Sequence, residues 1–435
     1  MRAALWFLAL FGMAVAIALF AGNNQSTITV FWPPYRLDLS FNLVVLLLTL
    51  LFFTLHVALR ALAALFAMPG HARSWRIQHQ ERAMHVALLD TLSHLMAGRF
   101  IRARKAAEVV LARESAMTRG GETLAYSGRL RALSHLLAAE SAQALQDKAA
   151  REAHLRQALE QASRRDAQET REGVQLRAAH WALEDQDAQG ALQWLDDLPQ
   201  GASRRTIAMR LRLKAAQMAR QTRLALETAR LLAKHRAFSE VAAQGILRGL
   251  AVELVLTAYD PDQLQTVWAQ LDATERVTPE VAIEAAQRML KLGGDVELAR
   301  TWLLPVWDRM VAQPGSLTDS QRIHLIRVLE SGFALASGVP EAAWLTRIEQ
   351  AQMANPGDAS LQYLAGITCM RLQLWGKAQQ LLKQSLPRLQ DAGLERNAWQ
   401  VLAELAERRG DVAASTQAWQ NAAKVASTEI RLGDH

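Results

Sequence analysis

Residues Trp399–Ala422 read WQVLAELAERRGDVAASTQAWQNA, and their spacing decides the fold. Trp399, Leu402, Ala403 and Ala406 sit at the intervals of a W-x2-L-G-x2-Y helix, in which small residues let a second helix approach closely. Gly410-Asp411 supplies a turn, and Ser415, Trp419 and Ala422 then take the small, bulky and small positions of the partner helix. The pattern predicts an antiparallel pair of helices. Such a pair cannot bury its apolar face alone, so the fold requires neighbours stacked on it.

Those neighbours follow in the same register toward the N-terminus. Gly366 and Cys369 stand at the small and tyrosine places, Ala378 and Leu382 at the A-x3-F places, and Asn355-Pro356 punctuates before them. A third unit has Ala286 and Leu290, the turn Gly293-Gly294-Asp295, then Ala299 and Leu303. A fourth has Ala178, Ala179 and Ala182, then Ala191 and Leu195, and Ala191 precedes Ala225 by the 34 residues of a tetratricopeptide repeat. Weaker units fit around Gly98–Ala107, Leu264–Leu271 and Ala342–Glu349, with spacings that drift into the forties. Trp194, Trp302, Trp344 and Trp419 are expected to be packing residues of this array. The charged stretch Ala138–Glu172 reads as one long or broken amphipathic helix, partly solvated.

The N-terminal part has a different character. Ala3–Ala21 and Leu39–Leu59 are uncharged runs of membrane-spanning length, the second extended by apolar residues until Pro69-Gly70, where the helix is expected to stop. Two transmembrane helices are therefore predicted, over 3–21 and 39–67. The segment between them carries TITVFW, which alternates like a strand, and Pro33-Pro34, which forbids helix; Trp32 and Tyr35 suit an aromatic belt. Arg2 precedes the first run and Arg60, Arg73, Arg76 and Arg82 follow the second, against Arg36 alone in the loop, so both termini are expected on the cytoplasmic side of a bacterial inner membrane. The expected organisation is a membrane anchor over 1–70, a basic juxtamembrane helical region over 71–172 and a repeat array over 173–435. The fold class is all-α, two transmembrane helices followed by a tetratricopeptide-like α-solenoid.

Composition narrows the chemistry. Residues 1–131 hold fourteen Lys/Arg against six Asp/Glu, whereas the remaining residues are balanced at 35 against 36. Arg73, Arg76, Arg82, Arg99, Arg102, Arg104 and Lys105 thus form a candidate surface for lipid headgroups or an acidic partner. The balance beyond residue 131, with no aromatic-basic platform, argues against nucleic acid. Cys369 is the single cysteine, which excludes disulfides and thiolate clusters within the chain. No phosphate-loop, dinucleotide, zinc-protease or nucleophile-elbow motif occurs, so no catalytic residues and no metal site are predicted. Asp185, Asp187, Gln189 and Gly190 imitate a calcium loop only loosely, because Gln189 replaces a carboxylate and Asp196 the long bidentate Glu. His79 and His85 are the candidate axial ligands for a haem, with Trp75 and Met84 close in sequence.

Taken together, the two N-terminal runs, the V-F-W loop, the basic helix and the degenerate repeats resemble the HemY family of proteobacterial membrane proteins. The most specific stretch is WLTRIEQAQMANPGDASLQYLAGITCMRLQLWGKAQQLLKQSL, Trp344–Leu386. The resemblance implies an association with haem and protoporphyrin metabolism, and a non-catalytic membrane scaffold with haem-pathway proteins as partners. It does not imply the flavin-dependent protoporphyrinogen oxidase that shares the family's name, because the glycine-rich strand–turn–helix of such a flavoprotein is missing. A haem or protoporphyrin carrier using His79 and His85, and an assembly scaffold for another envelope system, are the alternative readings.

Overall fold

The computed structural model describes residues 2–22, 25–122, 124–163, 167–335 and 340–433. The chain falls into two compact units, residues 1–171 and 172–435. In the first, α1 (Arg2–Gly22) leads to the strands β1 (Thr27–Trp32) and β2 (Tyr35–Ser40), then to α2 (Phe41–Met96), α3 (Phe100–Arg119), α4 (Ser127–Ala144) and α5 (Lys148–Gln161).

Two expectations change here. The strands pair antiparallel from Thr27↔Ser40 to Trp32↔Tyr35, with a cis Pro33-Pro34 bond in the turn, so one hairpin interrupts the all-helical plan. The alternation of TITVFW carried that signal. Second, α2 does not stop at Pro69-Gly70 but runs through both residues for 56 positions. Proline removes one backbone donor and crowds one carbonyl, which the hydrogen-bonded turns on either side outweigh in a helix this long. The stretch 138–172 is broken among α4, α5 and the start of α6, with Ala138, Ala139, Ser141 and Ala142 buried and other side chains, such as Gln146 and Glu152, exposed. Among the described residues, Phe41–Ala63 is the stretch long and apolar enough to cross a bilayer, with mean hydropathy 2.3 and none of it buried. Leu8–Leu19 of α1 is a shorter apolar run.

The second unit begins with α6 (Gln168–Glu184), α7 (Ala188–Asp196), α8 (Gln200–Ser203), α9 (Thr206–Met218), α10 (Thr222–Lys234) and α11 (Glu240–Leu256). It continues through α12 (Pro261–Gln270), α13 (Ala273–Arg276), α14 (Pro279–Lys291), α15 (Val296–Ala312), α16 (Asp319–Leu335) and α17 (Pro340–Ala354). The last elements are α18 (Ala359–Arg371), α19 (Trp375–Ser385), a 3-10 turn at Leu386–Arg388, α20 (Ala392–Arg408) and α21 (Val412–Gly433).

One turn recurs throughout. At Gly98, Gln146, Gln186, Arg220, Gly293, Gln373 and Gly410 the backbone takes a left-handed φ between 54° and 73° and joins the two helices of a hairpin, and Gly121 and Arg236 make the same pair of hydrogen bonds at φ 79° and 53°. In each case the left-handed N–H donates three residues back and the next N–H five residues back, as at Gln373 to Met370 (3.2 Å) and Leu374 to Cys369 (2.9 Å). This arrangement satisfies the last carbonyls of the first helix. Four of the seven sites carry a side chain despite the left-handed strain of about 1–2 kcal/mol.

Counting from these turns aligns the hairpins. Seven residues before them stand Thr91, Ala139, Ala179, Leu213, Ala286, Gly366 and Ala403, all buried. Five residues after them stand Ala103, Arg151, Ala191, Ala225, Ala378 and Ser415, also buried, while the extra glycine of Gly293-Gly294 moves the small residue to Ala299. Close approach is clearest at Gly366, where a Cβ atom would lie 2.7 Å from Leu382 Cγ. A continuous apolar core then runs from Met209 to Ala418, holding Leu303, Ala378 and Leu382, with Trp302 stacked on Trp268 (4.5 Å) and Trp344 edge-on to Trp307 (5.7 Å). Ala178, Ala191 and Leu195 are buried in the α6–α7 hairpin, where Trp194 is partly buried. Trp399 is half-buried against the main core. Trp419 departs from the packing expectation, being 41% exposed on α21. Its indole N–H donates instead to Glu407 Oε1 at 2.7 Å.

Candidate binding groove

The first helices of successive hairpins, α14, α16, α18 and α20, line a groove of about 730 Å³. Arg327 and Glu330 enter it from α16, Arg371 from α18, Arg396, Asn397 and Arg408 from α20, and Trp375 from the start of α19. Glu330 is the half-buried acceptor. Its Oε1 receives the hydroxyl of buried Tyr363 at 2.6 Å and the Asn397 amide at 3.4 Å. Burial pushes the Glu330 carboxyl above the usual range, against the hydrogen bonds from Tyr363 and Asn397 and the charges of Arg327 and Arg371. Burial likewise raises the Tyr363 phenol, with the Glu330 carboxylate adding to it.

The arginines are held in different ways. Arg327 donates to Asp391 Oδ1 at 2.6 Å, and its guanidinium crosses Gly393, where a Cβ atom would lie 2.4 Å from Nη2. A side chain at that point of α20 would displace the end of the Arg327 side chain. The Arg408 guanidinium lies over the Trp375 ring, 4.7 Å from its centroid. Arg371 and Arg408 are both exposed, and each precedes the left-handed turn residue of its hairpin by two positions. A signal for this pair was thus present in the sequence, legible only once the turns at Gln373 and Gly410 are aligned. A smaller cavity of about 480 Å³ lies among the loops at Pro314 and Asn355–Asp358, where Arg322 is taken up by Asp319 (2.7 Å) and Asp358 (3.7 Å).

The membrane-proximal candidates are not gathered in the same way. His79 and His85 are both exposed on α2, six residues apart, which on a helix places them about 120° apart around the axis. They do not converge as an axial pair. Trp75 lies against His79 (5.4 Å between centroids), while His85 Nε2 is 3.5 Å from the Tyr126 hydroxyl, which donates to Glu81. Tyr126 is pushed up to about 12, chiefly by burial and then by Glu81. Arg76, Arg82, Arg99, Arg102 and Lys105 are exposed on α2, α3 and the turn between them. Arg104 differs, being partly buried and bonded at 3.2 Å to Asp147, the N-cap residue of α5. The side chain of Arg73 lies outside the described ones. Asp187 serves as the cap of α7, accepting from Gly190 N at 2.9 Å, and no cluster of three or more metal-ligating side chains occurs among the described residues.

One histidine pair was missed by sequence reasoning. His135 of α4 and His154 of α5 face each other with their Nδ1 atoms 3.1 Å apart. Burial, then His154, then Arg131 lower His135 to about 4, and burial also lowers His154. Nineteen residues and an unrecognised turn at Gln146 separate the two in sequence.

Comparison with known proteins gives one family match. Residues 26–146 match the model described as the HemY protein N-terminus. No curated protein matches the chain in sequence. Among solved structures, the chain is similar to the Cut9–Hcn1 hetero-tetramer of the APC/C, with 15% identity, TM-score 0.25, and 80% of this chain and 69% of that chain covered. It is also similar to Naa15/Naa10 bound to HypK-THB, with 12% identity, TM-score 0.25, and 75% and 57% covered. A third likeness is to the TPR domain of P58(IPK), with 11% identity, TM-score 0.22, and 75% and 99% covered. At these scores the repeat character rests on the hairpins' own geometry.

Proposed function

We propose, from the match of residues 26–146 to the HemY N-terminus, that this chain is a HemY-family, membrane-anchored, non-catalytic scaffold supporting late haem and protoporphyrin synthesis. The anchor comprises α1 and the Phe41–Ala63 part of α2, both spanning the bacterial inner membrane with the two termini in the cytoplasm. Arg76, Arg82, Arg99, Arg102 and Lys105 then face the anionic headgroups. The repeat array holds haem-pathway proteins near the membrane, where poorly soluble tetrapyrroles are handled.

The observation that carries this reading is the groove formed by α14, α16, α18 and α20, an open surface with charged side chains presented from several repeats. A carrier role through His79 and His85 is less well supported, since their side chains leave α2 in different directions. The test is the tetrapyrrole content of cells lacking the protein against cells re-expressing it. Accumulation of uroporphyrin, coproporphyrin or protoporphyrin, reversed by re-expression, is the expected result. Unchanged pools would sink the reading in favour of an assembly scaffold for another envelope system.

A further inference from the structure

The groove has a charge pattern that its surroundings do not share. Beyond residue 131 the chain carries 35 basic and 36 acidic side chains, so a local excess of arginine is not a by-product of composition. Four arginines, Arg327, Arg371, Arg396 and Arg408, line the groove against two carboxylates, Glu330 and Glu404. Arg327 is matched by Asp391 at 2.6 Å, and the burial of Glu330 disfavours its charge. Arg371 and Arg408 remain as exposed guanidinium groups on neighbouring repeats, one of them laid flat on Trp375.

We infer that this groove binds a carboxylate-rich, extended segment of a partner protein, with Arg371 and Arg408 taking its Asp or Glu side chains. The inference rests on the scaffold reading above and names the chemistry of the partner. Guanidinium is the group that meets carboxylates two-pronged, and a ring beneath it reduces the freedom lost on binding. The groove also offers acceptors, Glu404 and Glu330 Oε2, which suit the backbone N–H groups of an extended chain. Ile367, Met370 and Val401 add apolar contact between the charged groups. An extended anionic peptide meets the charged, apolar and acceptor groups together, which a free phosphate is too small to do.

The test uses the full chain in lipid nanodiscs and a fluorescein-labelled peptide of alternating Glu and Leu, read by anisotropy, with a Lys–Leu peptide and inorganic phosphate for comparison. The Glu–Leu peptide should bind at least about tenfold tighter than the Lys–Leu peptide and weaken as salt rises. Arg371→Glu alone should weaken it about tenfold, and Arg371→Glu/Arg408→Glu further, whereas Arg223→Glu on α10, away from the groove, should leave it unchanged. Unaltered melting of Arg371→Glu separates lost binding from lost fold. Equal binding of the two peptides, or full binding by Arg371→Glu, would overturn the inference, as would displacement by phosphate as effective as by unlabelled peptide. The two readings fail separately. A null peptide result with tetrapyrroles still accumulating in the deletion strain removes only the acidic segment, and intact peptide binding with unchanged tetrapyrroles removes only the haem role.

Discussion

The α18–α19 and α4–α5 hairpins share a backbone and differ in what fills it. Both are joined by a left-handed glutamine, Gln373 and Gln146, with the same pair of hydrogen bonds across the turn. In α18–α19 the aligned positions are Gly366 and Ala378, the helices close on Leu382, and the interior joins the continuous apolar core. In α4–α5 the second small position is held by Arg151, 7% exposed, which donates to Gln143 Oε1 at 2.5 Å, and the His135–His154 pair lies in the same interface. The buried apolar residues of the first unit form small separate clusters, Met84 to Leu130 and Ala132 to Ala167. The difference teaches that the turn and the helix lengths specify a hairpin, while the interior can be apolar or polar. An apolar interior stabilises by burial, and a polar one stabilises only while every group keeps its partner.

This contrast can be broken most forcefully in the apolar core. Trp344 is buried between Trp307 and Phe333, with ring centroids at 5.7 and 6.2 Å. Trp344→Ala should cost about 3–5 kcal/mol. Hydrogen exchange of the intact chain should then report faster opening across residues 209–418, with α3 and α4 unchanged; an equal loss in both units would end the contrast.

Gly366→Val tests the close approach with a smaller effect. The new side chain meets Leu382, which is fully buried and has nowhere to move, so overpacking should cost about 1–3 kcal/mol. Gly376→Ala, where an added Cβ meets nothing within 4 Å, should by comparison leave thermal melting unchanged or raise it slightly.

The polar interior is sharpened by a pair of variants. Arg151→Met removes the donor to buried Gln143 and should cost about 1–3 kcal/mol, whereas Arg151→Met/Gln143→Leu should recover most of that loss. A double variant no better than the single one would show that shape, rather than pairing, rules this interface.

The smallest effect is the pH dependence of the histidine pair. His135 titrates at about 4 when folded against 6.5 for the free side chain, so the unfolded chain takes up the proton first as pH falls. Its contribution is complete above 6.5 and is lost progressively between 6.5 and 4, by about 1 kcal/mol once solvent screening of a half-exposed pair is allowed for. His154 is lowered as well and acts in the same direction. Replacing both by Phe should flatten the pH dependence of exchange in α4 and α5 over that window while leaving the second unit as it was.

Much of the repeat array was legible because small residues recur at fixed distances from turns. Gly410 and Gly293 announced themselves as glycines, but Gln146, Gln186, Arg220 and Gln373 occupy the same left-handed place, and a glutamine or arginine gives no such warning. The Pro69 reading erred for a related reason, since a local breaker was weighed without the length of helix on either side. The groove was less legible still. Arg327, Arg371 and Arg408 lie 44 and 37 residues apart, and each alone reads as an ordinary charge on a solvated face.

The sequence by itself determined the helical hairpins, the small residues at their crossings and the apolar run Phe41–Ala63, because periodicity and hydrophobicity act over a few turns of chain. Only the tertiary structure decided which helix faces come together. Packing put Arg371 and Arg408 on one groove, laid Arg408 on Trp375, set His135 against His154 and buried Arg151 where its neighbours have alanine. Those outcomes depend on the distance and rotation between separate helices, which is fixed by packing rather than by any local pattern.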